Sequence, residues 1–224
     1  MKNKLFFSAA IAAIFAVSLV IGFQSSAKNL SFEENFFAGG EKKEMGDTGA
    51  YSFDKAHSSI GFRVRHMGLV DVPGYFRDFD GTINYDAKDV TKSTVEFTAK
   101  MTSVDTGVAG RDKHLRSADF FEVEKYADMT FKSTSVTKKG KVLTLNGELT
   151  MKGVKKAVSF PINITGFVKD QRGTMKMGVT AETVINRRDF GVNYGGNMPN
   201  GVAMLSDNIT VVFQIEGNLP IAAK

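Results

Sequence analysis

The chain has 224 residues, 42% hydrophobic and 24% charged, which is the composition of a folded globular protein and not of a disordered one. It contains no Cys and no Trp, which excludes a disulfide scaffold, a cysteine-ligated metal centre, a thiol nucleophile and an acyl-cysteine anchor. Lysine and arginine total 29 against 24 acids, a net +5, but the basic residues are scattered and pair only as Lys155-Lys156 and Arg187-Arg188, so no nucleic-acid-binding tract is present.

At the N-terminus Lys2 and Lys4 precede an uncharged run from Leu5 to Phe23, and Ser25-Ser26-Ala27 follows. This is the order of a secretory signal peptide, with cleavage after Ala27 and a mature start at Lys28. The run is also nearly as long as a membrane span, so an uncleaved anchor is the alternative. Loss of residues 1–27 removes two lysines and no acids, leaving 27 bases against 24 acids, a net +3. Residues 28–50 carry Gly39-Gly40, Gly46 and Gly49 with five acids and three lysines, and read as a polar flexible linker. The domain is expected over 51–224.

From Tyr51 the period is two. Ile60, Phe62, Val64 and His66 alternate with polar or small residues, as do Val95, Phe97, Ala99 and Met101. The pattern recurs at Leu143–Met151, Val158–Ile164, Met175–Ala181 and Ile209–Ile215, with weaker strands expected at Phe76–Tyr85 and Met129–Val136. Alternation marks strands with one buried face. Lys139-Gly140, Gly153 and Lys169–Gly173 separate neighbouring strands closely enough for hairpins. Between the strands, Gly110–Phe121 has no alternation and predicts a short helix with Asp112 near its N-terminus. About eight strands in a meander point to an all-β fold, an antiparallel eight-stranded β-barrel with a short helical segment at one end, because closure removes the sheet edges. A barrel of that size is either packed solid or holds one small ligand. Methionines 101, 151, 175 and 177 suit an adaptable cavity and equally suit gap filling.

Several motifs stand out: Asp54-Lys55-Ala56-His57-Ser58, Phe76-Arg77-Asp78-Phe79-Asp80-Gly81, Ser103-Val104-Asp105-Thr106-Gly107, Arg111-Asp112-Lys113-His114-Leu115-Arg116, Thr130-Phe131-Lys132-Ser133, Gly147-Glu148-Leu149-Thr150-Met151 and Ile185-Asn186-Arg187-Arg188-Asp189-Phe190-Gly191. Together they resemble the YceI-like family of exported lipid- or polyisoprenoid-binding proteins, and they cover residues 51–216 in that family's order. The one departure is Tyr126-Ala127-Asp128-Met129, where the family often has a proline. The resemblance implies a lipocalin-like barrel with one long apolar channel, working in the periplasm as a carrier of a polyisoprenoid or other long-chain lipid. It implies no enzyme and no cofactor.

The expected tail-binding residues are the inward positions: Phe62, Val64 and His66 on one strand, Phe97, Ala99 and Met101 on another, then Phe131, Leu149, Phe160, Met177 and Phe213. Arg111, Asp112, His114 and Arg187 are the expected polar groups at the channel mouth, either meeting a head group or bracing the turns they sit in. His57, His66 and His114 lie too far apart in sequence for a tight metal motif. Two other readings stay open: an enzyme acting on a lipid head group through His114, Asp112 and Arg111, and a ligand-free barrel used for protein contacts. Transient contact with a membrane surface is allowed by the charge; the oligomeric state is not indicated.

Overall fold

The computed structural model describes residues 46–220; the expected signal segment, most of the expected linker and the last four residues lie outside them. In chain order the elements are β1 (Gly49–Phe53), β2 (Ser59–His66), β3 (Val70–Phe76), β4 (Phe79–Tyr85), β5 (Thr94–Lys100), β6 (Val104–Asp105), α1 (Ala109–Arg116), β7 (Asp128–Lys139), β8 (Val142–Met151), β9 (Val154–Lys169), β10 (Met175–Asn186) and β11 (Leu205–Leu219). Gly49 and Ala50, read from sequence as linker, are the first residues of β1.

The eleven segments make an eight-stranded barrel because three staves are bent: β1 continues into β2, β3 into β4 and β5 into β6. At one end the ring is closed in the order β1-β4-β5-β7-β8-β9-β10-β11, with β11 returning to β1 through Ser52↔Asn218. At the other end β11 pairs instead with β2, β2 with β3 and β3 with β6. Every pairing is antiparallel, so chain neighbours are sheet neighbours and short turns suffice.

The turn residues explain the tight reversals. Met67 and Gly68 both have positive φ, and Leu69 N–H donates to His66 C=O; Lys152 and Gly153 repeat the conformation between β8 and β9. This is the type I′ geometry that matches strand twist, and glycine adopts it at no steric cost. β3 escapes a sequence reading because Pro73 and Gly74 interrupt its alternation; Gly74 is small because the Phe62 ring lies against it.

The second end is not fully laddered. β6 has no partner on its β7 side, and α1 belongs to the segment that crosses there. The β9–β10 ladder stops at Ile162↔Ala181, next to Pro161, which has no N–H to donate. Two seams therefore flank the half of the barrel that carries the candidate site.

Candidate functional site

The interior holds a chamber of about 330 Å³ in the half-laddered end. Alternation on β2 and β11 sends Phe62, Val64 and His66, and Leu205, Ile209, Val211 and Phe213, into it. Val64 sits between its cross-strand partners Val72 and Ile209, both also lining the chamber, so this wall is a continuous apolar face. Leu149, Met151 and Phe160 close the opposite side. A second, smaller void of about 60 Å³ lies in the fully laddered half, lined among others by Phe97, Phe131 and Met177. Phe160 and Phe213 face both.

Of the expected tail-binding residues, then, Phe62, Val64, His66, Leu149, Phe160 and Phe213 line the larger chamber, and Phe97, Phe131 and Met177 line the smaller. Ala99 and Met101 are corrections. Both are wholly buried and line neither void. Met101 has left β5 for a 3-10 turn, where the period-two pattern no longer assigns a face. The expected single long channel is also corrected: two chambers with aromatic side chains between them replace it.

Apart from His66 on β2, the few polar liners come from two segments, Thr106, Arg111 and His114 around α1, and Arg187 and Tyr194 after β10. The His114 and Tyr194 rings meet at 4.8 Å, so the two segments touch. Most of this polarity is spent inside the protein. Arg111 Nε donates to Thr106 Oγ1 at 2.7 Å and its Nη2 to Thr106 C=O at 2.8 Å. Asp112 is buried away from the chamber, a further correction, and accepts from Thr106 N–H and Thr106 Oγ1. His114 Nε2 sits 2.8 Å from Asp119 Oδ2, not near Asp112. Arg116 donates to Thr102 and Val104 carbonyls. These bonds hold α1 against the strand end where β6 lacks a neighbour.

Among the described residues Arg187 is the deepest cation, 5% exposed. The β2–β11 register slips between Leu205 and Ile209, and Arg187 fills that bulge: Nε donates to Ser206 C=O at 3.0 Å, Nη1 to Val192 C=O at 2.7 Å and Nη2 to Asp207 Oδ1 at 2.8 Å. Arg188 Nε shares the same carboxylate oxygen at 2.6 Å. Burial pulls the Arg187 guanidinium below its usual range, with Asp207 opposing the shift. Two arginines share this one carboxylate, with Asp189 in the same turn, and two Arg187 N–H groups remain beyond the three it spends.

The sequence reading also missed liners. Phe76 and Phe121 pack together at 5.9 Å, and Val192, Tyr194 and Met204 come from the irregular segment between β10 and β11, where no periodicity exists to read. At the bend between β1 and β2, Asp54, His57 and Glu216 are grouped closely enough to hold a cation. The Lys176 ammonium already lies among them, 2.6 Å from Glu216 Oε1 and 3.6 Å from Asp54 Oδ2.

Residues 51–217 match the YceI-like domain family. The chain is 39% identical over 169 residues to the protein YceI of Escherichia coli O157:H7, covering 75% of this chain and 85% of that one, and 38% identical over the same length to the YceI of Salmonella arizonae. The crystal structure of the Campylobacter jejuni YCEI protein superposes with a TM-score of 0.60 at 32% identity, covering 75% of this chain and 96% of that one. A polyisoprenoid binding domain from Saccharophagus degradans shares the fold at 17% identity and a TM-score of 0.59, covering 78% of this chain and 100% of that domain. The chain belongs to the YceI-like family.

Proposed function

We propose that this protein is an exported, periplasmic carrier that shields the hydrocarbon tail of an isoprenoid or related long-chain lipid inside its barrel. The observation that carries this reading is the larger chamber, whose wall of Phe62, Val64, Val211 and Phe213 offers a tail apolar contact, with the polar groups other than His66 gathered on two touching segments. Affinity then comes from burial, about 25 cal/mol per Å² of apolar surface before association costs. The polyisoprenoid-binding description of the S. degradans relative points the same way. The two further N–H groups of Arg187 suit a hydrogen-bond-accepting head group, and the flanking seams give the chamber room to widen for a bulky guest.

Head-group enzymology is the less favoured reading, since Arg111 and Asp112 both bond Thr106 while His114 is paired separately with Asp119. Export rests on the basic, apolar, small-residue order of residues 1–27. Contact with a membrane surface has a candidate in Leu69 and Val70, 73% and 58% exposed at the β2–β3 hairpin beside the chamber.

The test is to purify the full protein without detergent, extract it with organic solvent and identify the extract by mass spectrometry. An intact long-chain lipid near one per protein is expected. An empty extract, or a lipid chemically converted over time, overturns the carrier reading.

A further inference from the structure

The barrel interior is divided by phenyl rings. Phe97, Phe131, Phe160 and Phe213 come from β5, β7, β9 and β11, four of the eight staves. Their centroids close a ring of contacts: 5.5 Å from Phe97 to Phe131, 5.3 Å on to Phe160, 5.4 Å on to Phe213 and 5.5 Å back to Phe97. One contact is stacked, two are edge-on and one is tilted, the offset geometries that aromatic quadrupoles favour. Phe160 and Phe213 face both voids, so the quartet floors the larger chamber and roofs the smaller. It is also held from behind. Phe131 lies so close to the Gly147 backbone that a Cβ there would fall 2.4 Å from Phe131 Cζ. Phe97, Phe131 and Phe160 are 6%, 2% and 3% exposed.

We propose that this quartet is a checkpoint on tail length, the feature by which the site distinguishes short from long hydrocarbon chains. The inference rests on the larger chamber being the tail site. At about 30 Å³ per water-sized group, its 330 Å³ seats about eleven such groups. Up to that length each methylene buried gains about fourfold in affinity. The next carbons must part four mutually packed rings to reach a void of only 60 Å³, so the gain per carbon stops there. Phe213 is the ring to remove, because it faces both voids and its cross-strand partner on β10 is the small Ala181.

The probes are saturated fatty acids from eight to twenty carbons, titrated into full protein stripped of endogenous lipid on a hydrophobic resin. For the native protein, affinity is expected to climb with length and then level off. In Phe213→Ala the break moves several carbons longer. In Phe53→Ala, which alters only the smaller void, the break stays in place, and in the double variant it moves further than in Phe213→Ala alone. Phe213→Leu serves if the alanine variant unfolds, with near-ultraviolet circular dichroism as the check on folding. A folded Phe213 variant that binds with an unmoved break overturns the checkpoint and leaves the tail site standing. A native protein that binds no chain of any length overturns both.

Discussion

Single residues divide into those that face the chamber and those that hold the walls. Val64 faces it: its two cross-strand partners share the chamber, and a carboxylate at that position would have to leave water to stay there. Val64→Glu is expected to lower lipid occupancy at least a hundredfold with the fold retained, as read by extraction and by thermal melting. Arg111→Ala should cost less than tenfold, because both of its bonds serve Thr106; a reversal of that ranking would show that the head group carries the affinity. Asp54 braces the bend between β1 and β2. Its hydrogen bond to His57, helped by Asn218 and the Ala56 amide, holds the carboxyl well below the usual carboxylate range against the opposing effect of burial. A depressed value means the charged form stabilises the fold above the unfolded value of about 3.9, and that this support is lost as pH falls below it. Asp54→Asn should therefore melt lower than the native protein at pH 7, by about 1 kcal/mol in stability, with the gap narrowing below about pH 4. A gap that does not change with pH would contradict this assignment.

At the level of elements, three of the motifs that carry the family resemblance are corner pieces, while Thr130–Ser133 and Gly147–Met151 lie within β7 and β8. Asp54 to Ser58 bends β1 into β2, where Ser58 Oγ accepts from Glu216 N–H. Asp105 to Asp112 ties β6 to α1, and Asn186 to Gly191 caps the turn from which Arg187 reaches the bulge in β11. That is why the strands and the helix were legible in the sequence while the roles of the polar residues were not. Alternation reports which face is buried, and it worked for Phe62, Val64 and Phe213; whether an arginine spends its N–H groups on a ligand or on a carbonyl depends on backbone that no local pattern encodes. The same limit explains Met101, which leaves its strand for a turn, and Tyr194, which sits on a segment with no regular period. Gly147 on β8 tests the packing that such patterns imply. A Cβ there would lie 2.4 Å from Phe131 Cζ and 2.5 Å from the Lys132 carbonyl oxygen, and the second contact is backbone that cannot rotate away. Replacing glycine by alanine in a strand gains about 0.5–1 kcal/mol in chain entropy, whereas overpacking costs about 1–3 kcal/mol. Gly147→Ala should thus be destabilising in urea, and a stabilised variant would mean the sheet yields there.

On the scale of the whole molecule the barrel has one sealed half and one yielding half. The sealed half has continuous ladders from β1 round to β11; the other is interrupted at β6 and above Ile162↔Ala181. Amides of residues 154–161 on the side facing β10 are expected to exchange with deuterium faster than those of the β7–β8 ladder, and to slow when lipid is bound. Equal protection in both halves, or no response to lipid, would argue against widening at the seams. β11 is the strand on which closure depends, since it alone ladders with β10, β2 and β1, joining residues near the start of the domain to residues near its end. During synthesis β10 on one side and β1 with β2 on the other must wait with open borders until this strand emerges, so the molecule spends its youth as an unfinished sheet, in need of company that keeps such borders from finding each other.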